Sequence, residues 1–135
     1  MKRRCWCALV AFLTLGLAGC AGISVERYRA EQPVLDLSHY FNGTIDGWGM
    51  FQDRSGEVIK RFTVVIEASW QGNAGTLDEH FTWADGTTSR RVWTITRDGE
   101  GRYRGRADDV IGEATGEAAG NALHWRYVLA LPVGD

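Results

Sequence analysis

"GEATGEAAGNALHWRYVLAL", residues 112 to 131, decides the fold. Leu123, Trp125, Tyr127, Leu129 and Leu131 alternate with smaller or polar residues, the period of a half-buried strand. Upstream of Gly120-Asn121 every second position holds a small residue: Gly112, Ala114, Gly116 and Ala118. A two-residue loop at Gly120-Asn121, of the kind such a pair favours, makes a hairpin of the two runs. It sets Leu123 opposite Ala118, Trp125 opposite Gly116, Tyr127 opposite Ala114 and Leu129 opposite Gly112. Every large residue then meets a small one. The other face pairs Glu117 with His124 and Thr115 with Arg126, a set suited to water. A slip of one residue would turn both faces over, so this register is strongly specified.

The same texture extends upstream to Leu35. Turn signals recur at Arg54-Ser55-Gly56, Gly72-Asn73, Asp85-Gly86 and Asp98-Gly99, mostly at the 8–12-residue spacing of an antiparallel meander. Between them Phe62, Val64, Ile66, Ala68 and Trp70 share a face, as do Leu77, Glu79, Phe81 and Trp83, and again Arg91, Trp93, Ile95 and Arg97. No stretch after residue 20 sustains a helical period. A three-residue loop at Asp98-Gly99-Glu100 sets Ile95 opposite Tyr103 and Trp93 opposite Gly105. Large rings over glycines let a sheet curve without losing its packing. The fold class is therefore all-β: an antiparallel meander forming a curved sheet or a partly open, lipocalin-like barrel with an aromatic concave side.

Two charged residues sit in apolar company on that side. If the loop after Trp83 is Ala84-Asp85-Gly86, with Gly86 left-handed, Glu79 faces Arg91 and Leu77 faces Trp93. A two-residue loop would instead set Glu79 against Val92. An inward Glu79–Arg91 pair fixes register, since unpaired buried charge is costly. The lesser reading is a polar anchor for a ligand's head group inside an apolar cleft. Trp48, Trp93 and Trp125 are the further candidates to line such a cleft, with core packing as the alternative role for these rings.

Catalytic patterns are missing from the sequence. There is no G-x-S-x-G, no H-E-x-x-H and no glycine-rich phosphate loop leading into a helix. His39, His80 and His124 lack metal-ligand spacing, so no metal or other cofactor is expected. Asp78-Glu79 and Asp108-Asp109 cannot act as dyads on regular strands, because adjacent residues point to opposite faces. Asp108-Asp109 precedes Val110 near a corner, where carboxylates commonly bind backbone amides.

The amino terminus reads differently. Lys2, Arg3 and Arg4 precede fifteen mostly apolar, uncharged residues from Cys5 to Gly19. That is the pattern of an export signal, and it is too short for a spanning helix. Leu17-Ala18-Gly19-Cys20 resembles a bacterial lipobox, which implies a signal peptide over 1–19 and an acylated Cys20 as the first mature residue. Ala21 stands where an Asp retains many such lipoproteins in the inner membrane, so the resemblance favours a periplasm-facing position on the outer membrane. Residues 20–34, without either period and with Pro33, read as an acylated tether. Residues 35–135 read as the β domain.

Cys5 and Cys7 fall inside the removed segment and Cys20 would carry lipid. The domain then has no disulfide and no thiolate chemistry. Loss of Lys2, Arg3 and Arg4 from the 15 basic residues leaves 12 against 17 acidic, a net charge near −5. Nucleic acid is an unsuitable partner for such a surface.

"GWGMFQDRSGEV" (47–58), "RRVWTI" (90–95) and "GRYRGRADDVIGEATGEAAGNALHWRYVLALPV" (101–133), with the lipobox, resemble a family of bacterial lipoproteins known as domain of unknown function 3833. The resemblance covers nearly all of Tyr28 to Val133 and implies no activity, substrate or catalytic residue. It does imply that further strands follow Leu131-Pro132-Val133, whose absence would leave a barrel unclosed and an edge exposed. Gly47-Trp48-Gly49 is similar to the Gly-x-Trp of lipocalin-like barrels, with a different spacing.

Two functions fit these features. One is a lipid-anchored binding module for a lipid-derived or other apolar ligand. The other is an envelope accessory protein with a solid core whose surface docks a protein partner. An enzyme ranks below both.

Overall fold

Seven strands follow one another in chain order through a single antiparallel sheet, in a computed structural model that describes residues 22–130. They are β1 (Gly43–Gln52), β2 (Val58–Gln71), β3 (Ala74–Trp83), β4 (Thr88–Arg97), β5 (Arg102–Arg106), β6 (Val110–Ala119) and β7 (Ala122–Leu129). The sheet curls into half a barrel. Its concave face buries the alternating apolar residues: Val64, Ile66 and Ala68 from β2, Leu77 and Phe81 from β3, Trp93 and Ile95 from β4. Each large side chain withdrawn from water in this way contributes about 1.5–3 kcal/mol. The all-β meander thus follows from the two-residue period.

The registers around Glu79 and around the last turn are those expected. Glu79 pairs with Arg91 and Leu77 with Trp93. The Trp83 N–H donates to the Thr87 carbonyl at 2.8 Å, which makes Ala84-Asp85-Gly86 the loop. At Gly120-Asn121, Ala118 faces Leu123, Gly116 faces Trp125, Glu117 faces His124 and Thr115 faces Arg126.

Two registers differ from expectation. Asp98 N–H donates to the Arg102 carbonyl at 2.8 Å, so the loop is Gly99-Glu100-Gly101. Ile95 consequently faces Gly105 and Arg97 faces Tyr103, a displacement of two residues that leaves the faces unchanged. Three-residue loops end on a left-handed residue; Gly101 supplies it here as Gly86 does in the earlier loop. In the last hairpin the ladder shifts between Ile111 and Thr115, so Leu129 faces Val110 instead of Gly112. Gly112, at φ +70°, absorbs the extra residues as a bulge.

Residues 22–34, expected to form a tether, lie against the last hairpin. A short 3-10 helix (Val25–Tyr28) buries Val25, and Leu35 N–H donates to the Gly120 carbonyl at 2.8 Å. Next comes α1 (Leu37–Tyr40), one turn capped by Asp36, whose carboxylate accepts from the Ser38 and His39 amides. Arg97 reaches the same carboxylate at 3.0 Å. Together these contacts seat Leu37 fully buried in the core. An aperiodic segment can still pack when a few of its side chains find the edge of a core.

Among the described residues β1 pairs only with β2, and β7 only with β6. A further break lies inside the sheet. The β4–β5 ladder covers only Thr94–Arg97, because β5 ends at Arg106. Thr88–Trp93 has no ladder partner on that side among the described residues.

Candidate functional site

The break is bridged by side chains. Arg91 points from β4 onto the concave face, and its Nε and Nη2 donate to the Asp109 carboxylate at 2.9 and 2.8 Å. Asp109 lies on the corner between β5 and β6, where the chain turns after the short strand β5. The main partner of the Asp109 carboxylate is Arg91, which the sequence did not point to. That hydrogen bonding, with the guanidinium charge, holds Asp109 below the ordinary carboxylate range.

Glu79 completes the cluster from β3. Its Oε2 accepts a 3.1 Å hydrogen bond from the Trp93 indole N–H and lies 3.9 Å from Arg91 Nη1. The side chains of Arg91 and Glu79 are 14% and 15% exposed, against 44% for Asp109. Burial pushes the Glu79 carboxyl up to about 7, with the Arg91 charge and the indole bond opposing it. Burial also works against the Arg91 charge, but Asp109 outweighs it and the guanidinium stands above its ordinary value. The faces of Phe81, Trp93 and Tyr127 lie 5.6–5.8 Å from the guanidinium carbon.

The candidate residues divide clearly. Glu79, Arg91 and Trp93 come together, and Trp125 packs edge-on against Trp93 at a centroid distance of 5.4 Å. Trp48 does not join them. It is 79% exposed on the convex side opposite Thr63, because the inward positions of its strand fall on Gly47 and Gly49. Asp109 and Tyr127 were not among the sequence candidates. Asp109 is brought in by the corner, which no period reveals. Cys20 lies outside the described residues.

Three hollows bear on the site. A recess of about 240 Å³ at the break is lined by Arg90, Arg91, Val92, Asp108 and Asp109. A groove of about 540 Å³ runs past Trp48, Met50, Arg61, Phe62 and Trp83. A larger hollow of about 680 Å³ lies beneath the amino-terminal segment. Of its charged residues Glu26 pairs with Arg29 and Asp36 with Arg97, while Glu100, Arg102 and Glu117 form no ion pair among the described residues. Among the described residues no cluster could hold a metal ion, and no helix is long and apolar enough to cross a membrane.

An open, curled antiparallel meander with a charged triad set into its aromatic inner face defines the class. The chain belongs to the family described as protein of unknown function DUF3833, which it matches over residues 14–135. Neither the curated proteins nor the solved structures hold a match to it.

Proposed function

We propose that the protein is a non-enzymatic lipoprotein, anchored through acylated Cys20 to the bacterial outer membrane and facing the periplasm, that binds or presents a lipid-derived or other apolar ligand. The export pattern over 1–19 and the Leu17-Ala18-Gly19-Cys20 motif support the anchor. One observation carries the binding reading: a buried guanidinium with two carboxylates stands on an aromatic concave face, beside a recess that reaches it from outside. Ligand sites combine apolar walls with a few placed polar groups in this way.

A second reading is favoured by Trp48 and Met50. Both are exposed on edge strand β1 and border the 540 Å³ groove, a surface suited to a protein partner. Mass measurement of the intact protein, extracted from its native membrane under non-denaturing conditions, separates the two. A co-purifying lipid beyond the covalent acyl groups supports the binding module. A clean mass with a bound protein supports the docking reading and overturns the first.

A further inference from the structure

We propose that Arg91 is an exchange site for the carboxylate of an acyl-chain ligand, which replaces the Asp109 carboxylate on the guanidinium while the chain lies along the aromatic inner face. The proposal rests on the binding reading above and narrows it to one head-group chemistry.

Arg91 is held by a strand and walled by rings, whereas its partner is not. Asp109 sits on a corner, is 44% exposed, and can return to water when another carboxylate takes its place. A planar guanidinium accepts carboxylates side-on through paired donors, the geometry that Asp109 already occupies. Nη1 makes no hydrogen bond among the described residues and faces Glu79 at 3.9 Å. The recess beside Arg90 and Val92 opens onto Arg91 and its partner Asp109.

A surface for the chain begins at the same point. Phe81 lies 5.7 Å from the guanidinium carbon, Phe62 is 5.2 Å beyond it, and Trp83 and Phe51 continue the row toward edge strand β1. These rings form an apolar row that starts at the Arg91 guanidinium and ends under Lys60, whose Nζ lies 4.2 Å from the Trp83 ring centre.

Charge balance selects a monoanion. The groups facing Glu79 are Arg91 and the Trp93 N–H from β4, and Ile66 from β2; Asp109 and Tyr127 lie around the guanidinium. With both carboxylates ionised the cluster carries one net negative charge, and a ligand carboxylate adds another, because the displaced Asp109 carboxylate stays tethered to the corner beside the site. Glu79 already titrates near 7 through burial, so the added negative charge draws a proton from solvent onto it. One such proton balances a carboxylate. It does not balance a phosphate dianion.

The test is calorimetry on the full chain with dodecanoate, dodecanol, dodecyl phosphate and acetate near pH 7.5, in buffers of different ionisation enthalpy. Dodecanoate is expected to bind more tightly than dodecanol or dodecyl phosphate and to take up a proton. Acetate, which lacks the chain, is expected to bind far more weakly. Asp109→Asn removes the competing anion while keeping Arg91, so dodecanoate should bind on the order of tenfold more tightly, the worth of about one charge-assisted hydrogen bond. Glu79→Gln should still bind dodecanoate, without proton uptake. If dodecanol binds as well as dodecanoate, or Asp109→Asn leaves affinity unchanged or weaker, the exchange is overturned and apolar binding survives. Tighter dodecyl phosphate overturns the head-group class, and acetate equal to dodecanoate overturns the role of the chain. No binding of either dodecanoate or dodecanol overturns both readings.

Discussion

Glu79 and Arg91 stand directly opposite each other on β3 and β4, yet their charged groups are 3.9 Å apart and the short contacts of Arg91 go to Asp109. The guanidinium serves two carboxylates of unequal burial. Asp109 keeps access to water, while Glu79 is desolvated and relies on an indole N–H and a more distant cation. The buried carboxylate is therefore the titrating member.

Removing the cation alone strands Glu79. Arg91→Met is expected to lower stability at pH 8 by about 3 kcal/mol, the lower end for breaking a buried pair, since Asp109 can regain water. Replacing both partners, Glu79→Leu with Arg91→Met, should recover much of that loss because no buried charge remains. Urea titrations of the single and double variants check this. A double variant no better than Arg91→Met would contradict it.

Stability should fall as pH rises through neutrality. Glu79 has an ordinary value of 4.5 and a folded value of about 7, so its contribution is complete below pH 4.5 and lost above about pH 7. The unfolded chain releases this proton first, which gives a negative slope between the two values, amounting to roughly 3 kcal/mol or slightly more. Glu79→Gln should lack that decline. Denaturant midpoints of both proteins at pH 5 and pH 8.5 measure the difference.

Gly105 and Gly116 make room for Trp125. A Cβ at either position would overlap the Trp125 ring, and at Gly105 it would also press on Trp93. Gly116→Ala and Gly105→Ala are each expected to destabilise by about 1–3 kcal/mol through overpacking. Near-ultraviolet circular dichroism should change with them, because the Trp93–Trp125 edge-to-face contact moves. An unchanged spectrum and midpoint would show that the ring has free space beside it.

Cys20→Ser tests the anchor. The variant is expected to lose acylation and leave the membrane fraction, with the far-ultraviolet spectrum of the β domain retained. A variant that still partitions with membranes and still carries lipid would overturn the assignment.

Alternation placed the residues on their faces, because a strand's side-chain period is two whatever surrounds it. The inward set from Phe62 to Trp70, the hairpin at Gly120-Asn121 and the Glu79–Arg91 opposition were all legible in the chain. Each depends only on neighbouring residues and one short loop. Trp48 shows how far an aromatic residue count can mislead: parity, read from Gly47 and Gly49, already set it outward. What folding alone decided is non-local. The corner after Arg106 ends β5 early, opens the sheet beside β4, and carries Asp109 to a guanidinium eighteen residues away in the chain. Residues 22–34 carry no period, yet Val25 is buried against the last hairpin, and Leu37, just beyond them, is the largest fully buried side chain among the described residues. Its capped turn lies against Arg97 and the inner core. Contacts of this kind arise from where strands stop and how the sheet curls, and a period along the chain carries no record of either.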